Sequence, residues 1–268
     1  MELNKIYCEN CLETMSRMPD NFIDLTVTSP PYDNLRDYKG YEFDFESIAK
    51  ELFRVTKKGG VVVWVVGDAT INGSETGTSF KQALYFKEIG FNLHDTMIWY
   101  KLNPMPLPDN QKRYASSIEY MFILSKDKPK YGKLLKCKSN NVGRLSGKTG
   151  QRNKDGTDNN RKIIKKIQEE KILDNVWLYS SVCDTENKGH PAPFPEDLVK
   201  DHIISWSDEK KLIYDPFMGS GTTAKMSHLM DRNWVGSEIS QEYVDLANKR
   251  IKPYLMQQKI QFNEQRND

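Results

Sequence analysis

One stretch of the sequence combines residue types that could hold a reacting group in a fixed orientation. Ser29-Pro30-Pro31-Tyr32 follows an apolar run at 22–28 that is typical of a buried strand. Two consecutive prolines remove two backbone donors and fix both φ angles. The residues before them are restricted to extended geometry, which holds their carbonyl groups in place. The motif predicts rigid hydrogen-bond acceptors at a strand end, although a Pro-Pro turn with an incidental Ser and Tyr is the simpler alternative.

A second stretch, residues 215–222, is called the glycine loop below. It reads Asp-Pro-Phe-Met-Gly-Ser-Gly-Thr, follows a short apolar strand and opens a predicted helix. A Gly-x-Gly turn lets the backbone approach a ligand closely, and the helix N-terminus offers free amide donors, which suits an adenosine-containing cofactor. Glu238 ends the next predicted strand, 19 positions after Gly219, where its carboxylate can accept both ribose hydroxyls. The third glycine of the dinucleotide fingerprint is missing, so a plain tight turn is the alternative.

Both motifs need a framework that brings strand ends together. The alternation of strands and helices predicts an α/β domain with a mostly parallel sheet, in which ligands bind at the carboxyl ends of the strands. The length of 268 residues suits one domain, or a domain with a large insertion. We expect helices over 45–56, 79–89, 195–204 and 222–230, and strands over 22–28, 61–66, 96–100, 118–124, 211–214 and 234–237.

Composition excludes several classes of protein. The longest apolar run, Val61 to Val66, has six residues, whereas a membrane helix needs about 20 and a signal peptide at least about 7. We therefore expect no membrane span or export signal and a cytoplasmic location. Four Cys and four His are scattered, and Cys8 and Cys11 form one close pair with no second pair nearby. This spacing predicts reduced thiols and no metal site.

The positive charge is concentrated in one part of the chain. Residues 126–171 contain 15 Lys or Arg and 5 Asp or Glu, a local charge of +10, although the whole chain carries only +2. Such a segment is either a solvated, partly mobile insertion or a basic arm that neutralises phosphates and binds nucleic acid.

The motifs together resemble those of a known family. Thr28-Ser29-Pro30-Pro31-Tyr32 resembles the catalytic motif of amino-group DNA methyltransferases, and the glycine loop resembles their S-adenosyl-L-methionine loop. The catalytic motif precedes the cofactor loop, which is the order of the β group. This resemblance implies a Rossmann-like, circularly permuted methyltransferase fold with a mostly parallel seven-stranded sheet. Its catalytic half would be 1–125, its cofactor-binding half 186–268, and the insertion at 126–185 its target-recognition region.

The resemblance also implies a reaction on double-stranded DNA. Ser29 Oγ and the Pro30 carbonyl would accept the hydrogens of an exocyclic amine, and Tyr32 would stack on the extruded base. Orientation of this kind can supply several kcal/mol of barrier reduction. Ser in the first motif position is similar to the N4-cytosine enzymes, whereas most N6-adenine enzymes carry Asp there. Cytosine N4 is therefore predicted, with adenine N6 as the alternative. RNA or protein-glutamine methylation and a non-catalytic nucleotide-binding module remain less favoured possibilities.

Carried over residue by residue, the resemblance assigns two sets of binding residues. It also implies a possible homodimer and a possible companion restriction endonuclease. In place of the family's usual Gly-Asp before Cys-Leu, this chain has Glu9-Asn10, whose amide could bond the adenine edge. Trp99 could be a core or a functional residue. The expected cofactor residues are Asn10, Thr28, His190, Pro191, Phe194, Asp215, Phe217, Gly219, Ser220, Gly221, Thr222 and Glu238. The expected substrate residues are Arg36, Lys101 and Asn103 from the resemblance, and Lys162, Lys165 and Lys166 from the basic segment at 126–171.

Overall fold

The computed structural model describes residues 1–31, 43–104, 106, 112–140, 142–145, 151–152, 155–159, 166–181 and 194–255. Of residues 151–152 and 158–159 only the backbone is described. The helices are α1 Cys11–Ser16, α2 Phe45–Val55, α3 Thr78–Glu88, α4 Glu196–Trp206, α5 Thr222–Leu229 and α6 Gln241–Leu255. No helix in these ranges is long and apolar enough to cross a membrane.

The strands fall into one large sheet and three short pairs. The large sheet contains β1 Lys5–Cys8, β2 Ile23–Thr28, β3 Thr56–Val66, β6 Asn92–Lys101, β7 Ile118–Ser125, β12 Val176–Tyr179, β13 Leu212–Asp215 and β14 Asn233–Glu238. The short pairs are β4 Thr70–Ile71 with β5 Ser74–Glu75, β8 Lys136–Lys138 with β11 Glu170–Ile172, and β9 Gln151–Arg152 with β10 Asp158–Asn159.

The large sheet is assembled from both ends of the chain. Its order is β1-β14-β13-β2-β3-β7-β6-β12, so that strands of the C-terminal part lie between β1 and β2. All neighbouring pairs are parallel except the two that involve β7. The predicted mostly parallel α/β architecture is therefore confirmed, and the carboxyl ends of seven strands lie at one edge.

The strand count differs from the predicted seven, because eight strands form the large sheet among the described residues. The additional strand is β12, which pairs in parallel with β6 from Val176↔Ile98 to Tyr179↔Lys101. Its sequence, Val-Trp-Leu-Tyr, has high β propensity, but it follows the basic segment and was not predicted as a strand.

Hydrophobic patterning explains the core. The apolar run Val61 to Val66 is buried along its whole length, as expected for a strand with neighbours on both sides and layers on both faces. In α2, the buried residues Ile48, Ala49, Leu52 and Val55 recur at helical spacing and face the sheet layer. This packing fixes the ends of β2 and β3 and thus the position of the motif that follows β2.

Residues Leu134–Asp174 form a compact unit of their own, and the rest of the chain forms the other unit. The smaller unit contains the antiparallel pairs β8–β11 and β9–β10. The predicted insertion at 126–185 is wider than this unit, because residues 126–133 and 175–181 belong to the larger unit and β12 lies in its sheet. Residues 182–185 lie outside the described ranges.

Candidate active site

The carboxyl edge of the sheet brings the two motifs together. Strand β2 ends at Thr28, directly before Ser29, and its neighbour β13 ends at Asp215, the first residue of the glycine loop. Beyond β13, Glu238 ends β14 and pairs with Cys8 at the end of β1. The adjacency of these strand ends is what the predicted fold requires.

A buried carboxylate, Asp215, joins the two motifs directly. Thr28 Oγ1 donates to Asp215 Oδ1 at 2.6 Å, and Thr223 Oγ1 donates to Oδ2 at 2.7 Å. The backbone N–H of Phe217 also donates to Oδ1, at 3.0 Å. These four residues form the Asp215 cluster. Because Thr28 directly precedes Ser29, the cluster fixes the catalytic motif relative to a loop that is 187 positions away in the sequence.

The environment of Asp215 has a clear electrostatic consequence. Burial raises the pKa of this carboxyl group from 3.8 to about 6, and the hydrogen bonds from Thr28, Thr223 and Phe217 oppose this rise because they stabilise the charged form. The carboxylate of Glu238 raises the pKa slightly further. The three donors therefore matter most when Asp215 is ionised.

Direct cofactor contact is predicted for Thr28, Asp215 and Phe217, but the structure gives their side chains other partners. The Thr28 and Asp215 side chains are buried and bonded to each other. The Phe217 ring lies edge-on to Phe43 and Trp64, with centroid distances of 5.7 and 6.2 Å. The polar atoms of Thr28 and Asp215 and the ring of Phe217 are thus engaged by neighbouring side chains, and their contact with a cofactor stays a prediction.

The turn of the glycine loop depends on left-handed backbone and on Glu238. Gly219 and Gly221 have φ values of 51° and 82°, which other residues adopt only at a cost. Glu238 Oε2 accepts the Gly219 N–H at 2.9 Å, and Oε1 accepts the Ser240 N–H at 3.0 Å. Burial raises the pKa of the Glu238 carboxyl group. A carboxylate has about four acceptor positions, so it can accept ribose hydroxyls while holding the loop, and the residues present fit an adenosine-containing cofactor.

Three predicted cofactor residues of the loop face the protein interior. The Ser220 and Thr222 side chains are buried, and Arg250 Nη1 donates to Thr222 Oγ1 at 2.9 Å. A Cβ atom on Gly221 would lie 2.9 Å from Ala247 Cβ of α6. The absence of a side chain at Gly221 is thus required by packing against α6.

Asn10 has a structural role that restricts what it can offer a ligand. Its Oδ1 accepts the Leu12 N–H at 2.9 Å and caps α1, which leaves the Nδ2 donor for a ligand. The neighbouring Glu9 accepts from Thr14 Oγ1 at 2.6 Å and pairs with Arg17, and its N–H donates to the Glu238 carbonyl at 3.0 Å. Asn10 therefore directly follows a residue whose backbone is bonded to the Glu238 strand end, and its contact with the adenine stays a prediction.

The predicted substrate residues of β6 lie at the same edge and are held in place by neighbours. Lys101 Nζ forms a 2.6 Å ion pair with Glu119, a buried residue of β7 that sequence reasoning missed. Asn103 Nδ2 donates to Ser180 Oγ at 3.1 Å. Trp99 is a core residue, since it is buried and its Nε1 donates to the Tyr179 carbonyl at 3.1 Å. Glu119 falls within an otherwise apolar strand, and an acidic residue in a buried run was the sequence signal that could have identified it.

The remaining predicted residues are less fully described. Ser29 is half-buried and Pro30 is buried. Phe194 is half-buried and precedes Pro195, the N-cap of α4. Lys166 is exposed and belongs to the smaller unit. The positions outside the described residues are Tyr32, Arg36, Lys162, Lys165, His190 and Pro191.

Comparison with known proteins agrees with this arrangement. The DNA methylase family matches residues 23–249. The orphan methyltransferase M.BamHII of Bacillus amyloliquefaciens is 53% identical over 244 residues, which cover 88% of this chain and 91% of that protein. The chain belongs to the DNA methylase family.

Solved structures confirm the fold. The PvuII DNA methyltransferase, described as cytosine-N4-specific, superposes with a TM-score of 0.71 at 21% identity, covering 92% of this chain and 85% of that one. A DNA modification methylase of Thermus thermophilus, complexed with S-adenosyl-L-methionine, gives 0.62 at 23% identity, covering 94% and 95%. The Rossmann-like methyltransferase fold and the resemblance to DNA methyltransferases are thus confirmed. The family uses S-adenosyl-L-methionine, the predicted cofactor.

Proposed function

We propose that this DNA methyltransferase modifies the exocyclic N4 of cytosine in double-stranded DNA. The observation that carries the proposal is the Asp215 cluster, which holds Thr28, and with it Ser29 and Pro30, beside the glycine loop. When bound there, S-adenosyl-L-methionine supplies an electrophilic sulfonium methyl group.

The chain's own residues would orient the amine. Ser29 Oγ and the Pro30 carbonyl accept its two hydrogens, draw the nitrogen toward tetrahedral geometry and aim its lone pair at the methyl group. The Ser29 hydroxyl cannot act as a general base at neutral pH, so the proton leaves to solvent after transfer. Glu238 and Asn10 hold the adenosine part, and Lys101 and Asn103 lie at the same edge, where an extruded base would enter.

Ser29 in the first motif position favours cytosine, and the PvuII enzyme, described as cytosine-N4-specific, shows that the fold supports this reaction. Adenine N6 is the alternative, because a serine at this position correlates with cytosine in the family but does not by itself determine the base. Residues 126–185 are proposed as the target-recognition region, with exposed Lys166 among its phosphate contacts.

Two further partners stay predictions. A companion restriction endonuclease would fit the type II methyltransferases among the relatives, such as M.BglII of Bacillus subtilis, whereas M.BamHII is named an orphan methyltransferase. A homodimer is the other prediction. Neither is needed for the chemistry proposed above.

The test is expression of the protein in a host without DNA methylation, followed by nucleoside mass spectrometry and sequencing of the modified positions. We expect N4-methylcytosine at a defined sequence. N6-methyladenine would favour the alternative base instead of cytosine, and unmodified DNA from a host that produces the folded protein would refute the proposal. The same host without the protein serves as the background control.

A further inference from the structure

Behind the glycine loop lies a group of charged side chains that the sequence did not indicate. Arg250 of α6 and Lys225 of α5 both contact Glu196 Oε1 at the start of α4, Lys225 at 2.8 Å. The exposed side-chain fractions are 2% for Arg250, 6% for Lys225 and 21% for Glu196. These three residues form the Arg250 network. Because buried charges are costly unless they are paired, the network favours one arrangement of the three helices.

Arg250 also contacts the glycine loop itself. Its Nη1 donates to the Ser220 carbonyl at 3.1 Å and to Thr222 Oγ1 at 2.9 Å, while Nη2 contacts Glu196. A guanidinium group can make these contacts together because its donors form a rigid planar fork. One side chain thus spans the turn on both sides of Gly221, on the face that packs against α6.

Glu196 connects this turn with a second part of the candidate site. It is the first residue of α4 and lies two positions after Phe194, one of the predicted cofactor residues. Through Arg250, the carboxylate of Glu196 therefore links the start of α4 to the glycine loop. The loop carries Gly219, whose N–H bonds the proposed ribose ligand Glu238 at 2.9 Å.

We propose that Arg250 is a positioning residue for cofactor binding, which holds the glycine loop at a fixed spacing from the start of α4. The inference rests on the proposed cofactor site and adds a residue whose guanidinium contacts the loop and Glu196. Because the loop binds the cofactor while Ser29 orients the base, loss of this positioning acts on cofactor affinity and leaves the methyl-transfer step nearly intact.

The test compares Arg250→Lys with the wild-type protein by calorimetric titration with S-adenosyl-L-methionine. Lysine keeps the charge beside Glu196 but cannot reproduce the fork, so at least one charged hydrogen bond to the loop is lost. We expect the Kd to rise about tenfold or more. The KM for the cofactor should rise in parallel, and kcat at saturating cofactor should stay near the wild-type value.

Arg232→Lys is the matched control. This arginine is half-buried and donates to the Ser207 carbonyl at 2.6 Å. It lies directly before the start of β14, at the edge of the sheet opposite to the site. Its substitution should lower the Tm without changing the cofactor Kd. Thr222→Val provides a milder perturbation of the same loop, since it removes one acceptor of Arg250, and it replaces Arg250→Lys if that variant does not fold.

The outcomes are distinguishable. A raised Kd for Arg250→Lys or Thr222→Val, with an unchanged Kd for Arg232→Lys, supports the positioning role. Equal Kd values for wild type and both loop-directed variants, or an equal rise in the Arg232 control, overturn it. A wild-type protein that does not bind S-adenosyl-L-methionine instead rejects the proposed cofactor site itself.

Discussion

Replacing Thr28 by Val tests the Asp215 cluster with little change in side-chain volume. The substitution removes the hydroxyl that donates to Asp215 Oδ1 at 2.6 Å and leaves a buried carboxylate with one donor fewer. A hydrogen bond to a charged group contributes about 1.5 to 3 kcal/mol, so the free energy of unfolding at pH 8 should fall by about that amount. If misplacement of Ser29 reduces transition-state stabilisation by the same free energy, kcat/KM falls about 10- to 100-fold.

The effect should depend on pH, because the pKa of Asp215 is raised by burial from 3.8 to about 6. A raised pKa in the folded state favours the protonated form of Asp215. The stability that Asp215 contributes through this shift is therefore fully present below pH 3.8 and is lost as the pH rises through about 6. At about 1.4 kcal/mol per pKa unit, this interval corresponds to about 3 kcal/mol. Thr28 stabilises the ionised form, and the penalty of Thr28→Val should therefore be larger at pH 8 than at pH 5.

The assay is urea unfolding at pH 5 and pH 8, together with methyl-transfer kinetics at pH 8. Thr26→Val is the matched control, because Thr26 lies in the same strand, is equally buried, and its Oγ1 has no hydrogen-bond partner among the described residues. That variant should be neutral or slightly stabilising. If Thr28→Val and Thr26→Val behave alike at pH 8, the Asp215 cluster does not position the motif.

Three further predictions concern the loop, the adenosine contact and DNA. Gly221→Ala should lower the Tm more than Gly73→Ala. Both glycines have nearly the same φ, 82° and 81°, but only at Gly221 would the new Cβ meet Ala247. Equal losses of Tm would contradict packing of Gly221 against α6. Asn10→Asp should keep the Tm, because Asp caps helices as well as Asn. It should lower the cofactor Kd about fivefold, because it presents a charged acceptor to the adenine amine. An unchanged Kd measured by calorimetry would place the adenine elsewhere. Replacing Lys162, Lys165 and Lys166 by Glu should weaken DNA binding. The slope of log K against log salt concentration should become shallower by about 0.9 for each lost phosphate contact. An unaltered slope would show that this segment is not part of the DNA interface.

The regular elements could be predicted where hydrophobic periodicity is strong. The helix expected at 45–56 is α2, Phe45–Val55, and the apolar run at 61–66 forms the carboxyl-terminal half of β3. β1 was missed because only one of its four residues, Ile6, is buried, and because its pairing with β14 involves the opposite end of the chain. β12 was missed because it follows a basic segment, and its place beside β6 is set by tertiary pairing.

The site was predictable to the level of strand ends but not of side-chain direction. Thr28 and Asp215 were both identified, but the sequence does not show that their polar groups face each other in the core. Arg250 and Glu196 were not identified, because charged residues in helices are usually solvated and only the packing of α4 and α6 encloses them.

The role of Ser29 can be measured by the transfer of labelled methyl groups from S-adenosyl-L-methionine to duplex DNA by the Ser29→Ala variant. Ser29 follows Thr28 at the Asp215 cluster, and we propose that its hydroxyl orients the amine without contributing to cofactor binding. We predict that methyl transfer falls sharply while the cofactor Kd measured by calorimetry stays at the wild-type value. Retention of most of the transfer activity would contradict the account.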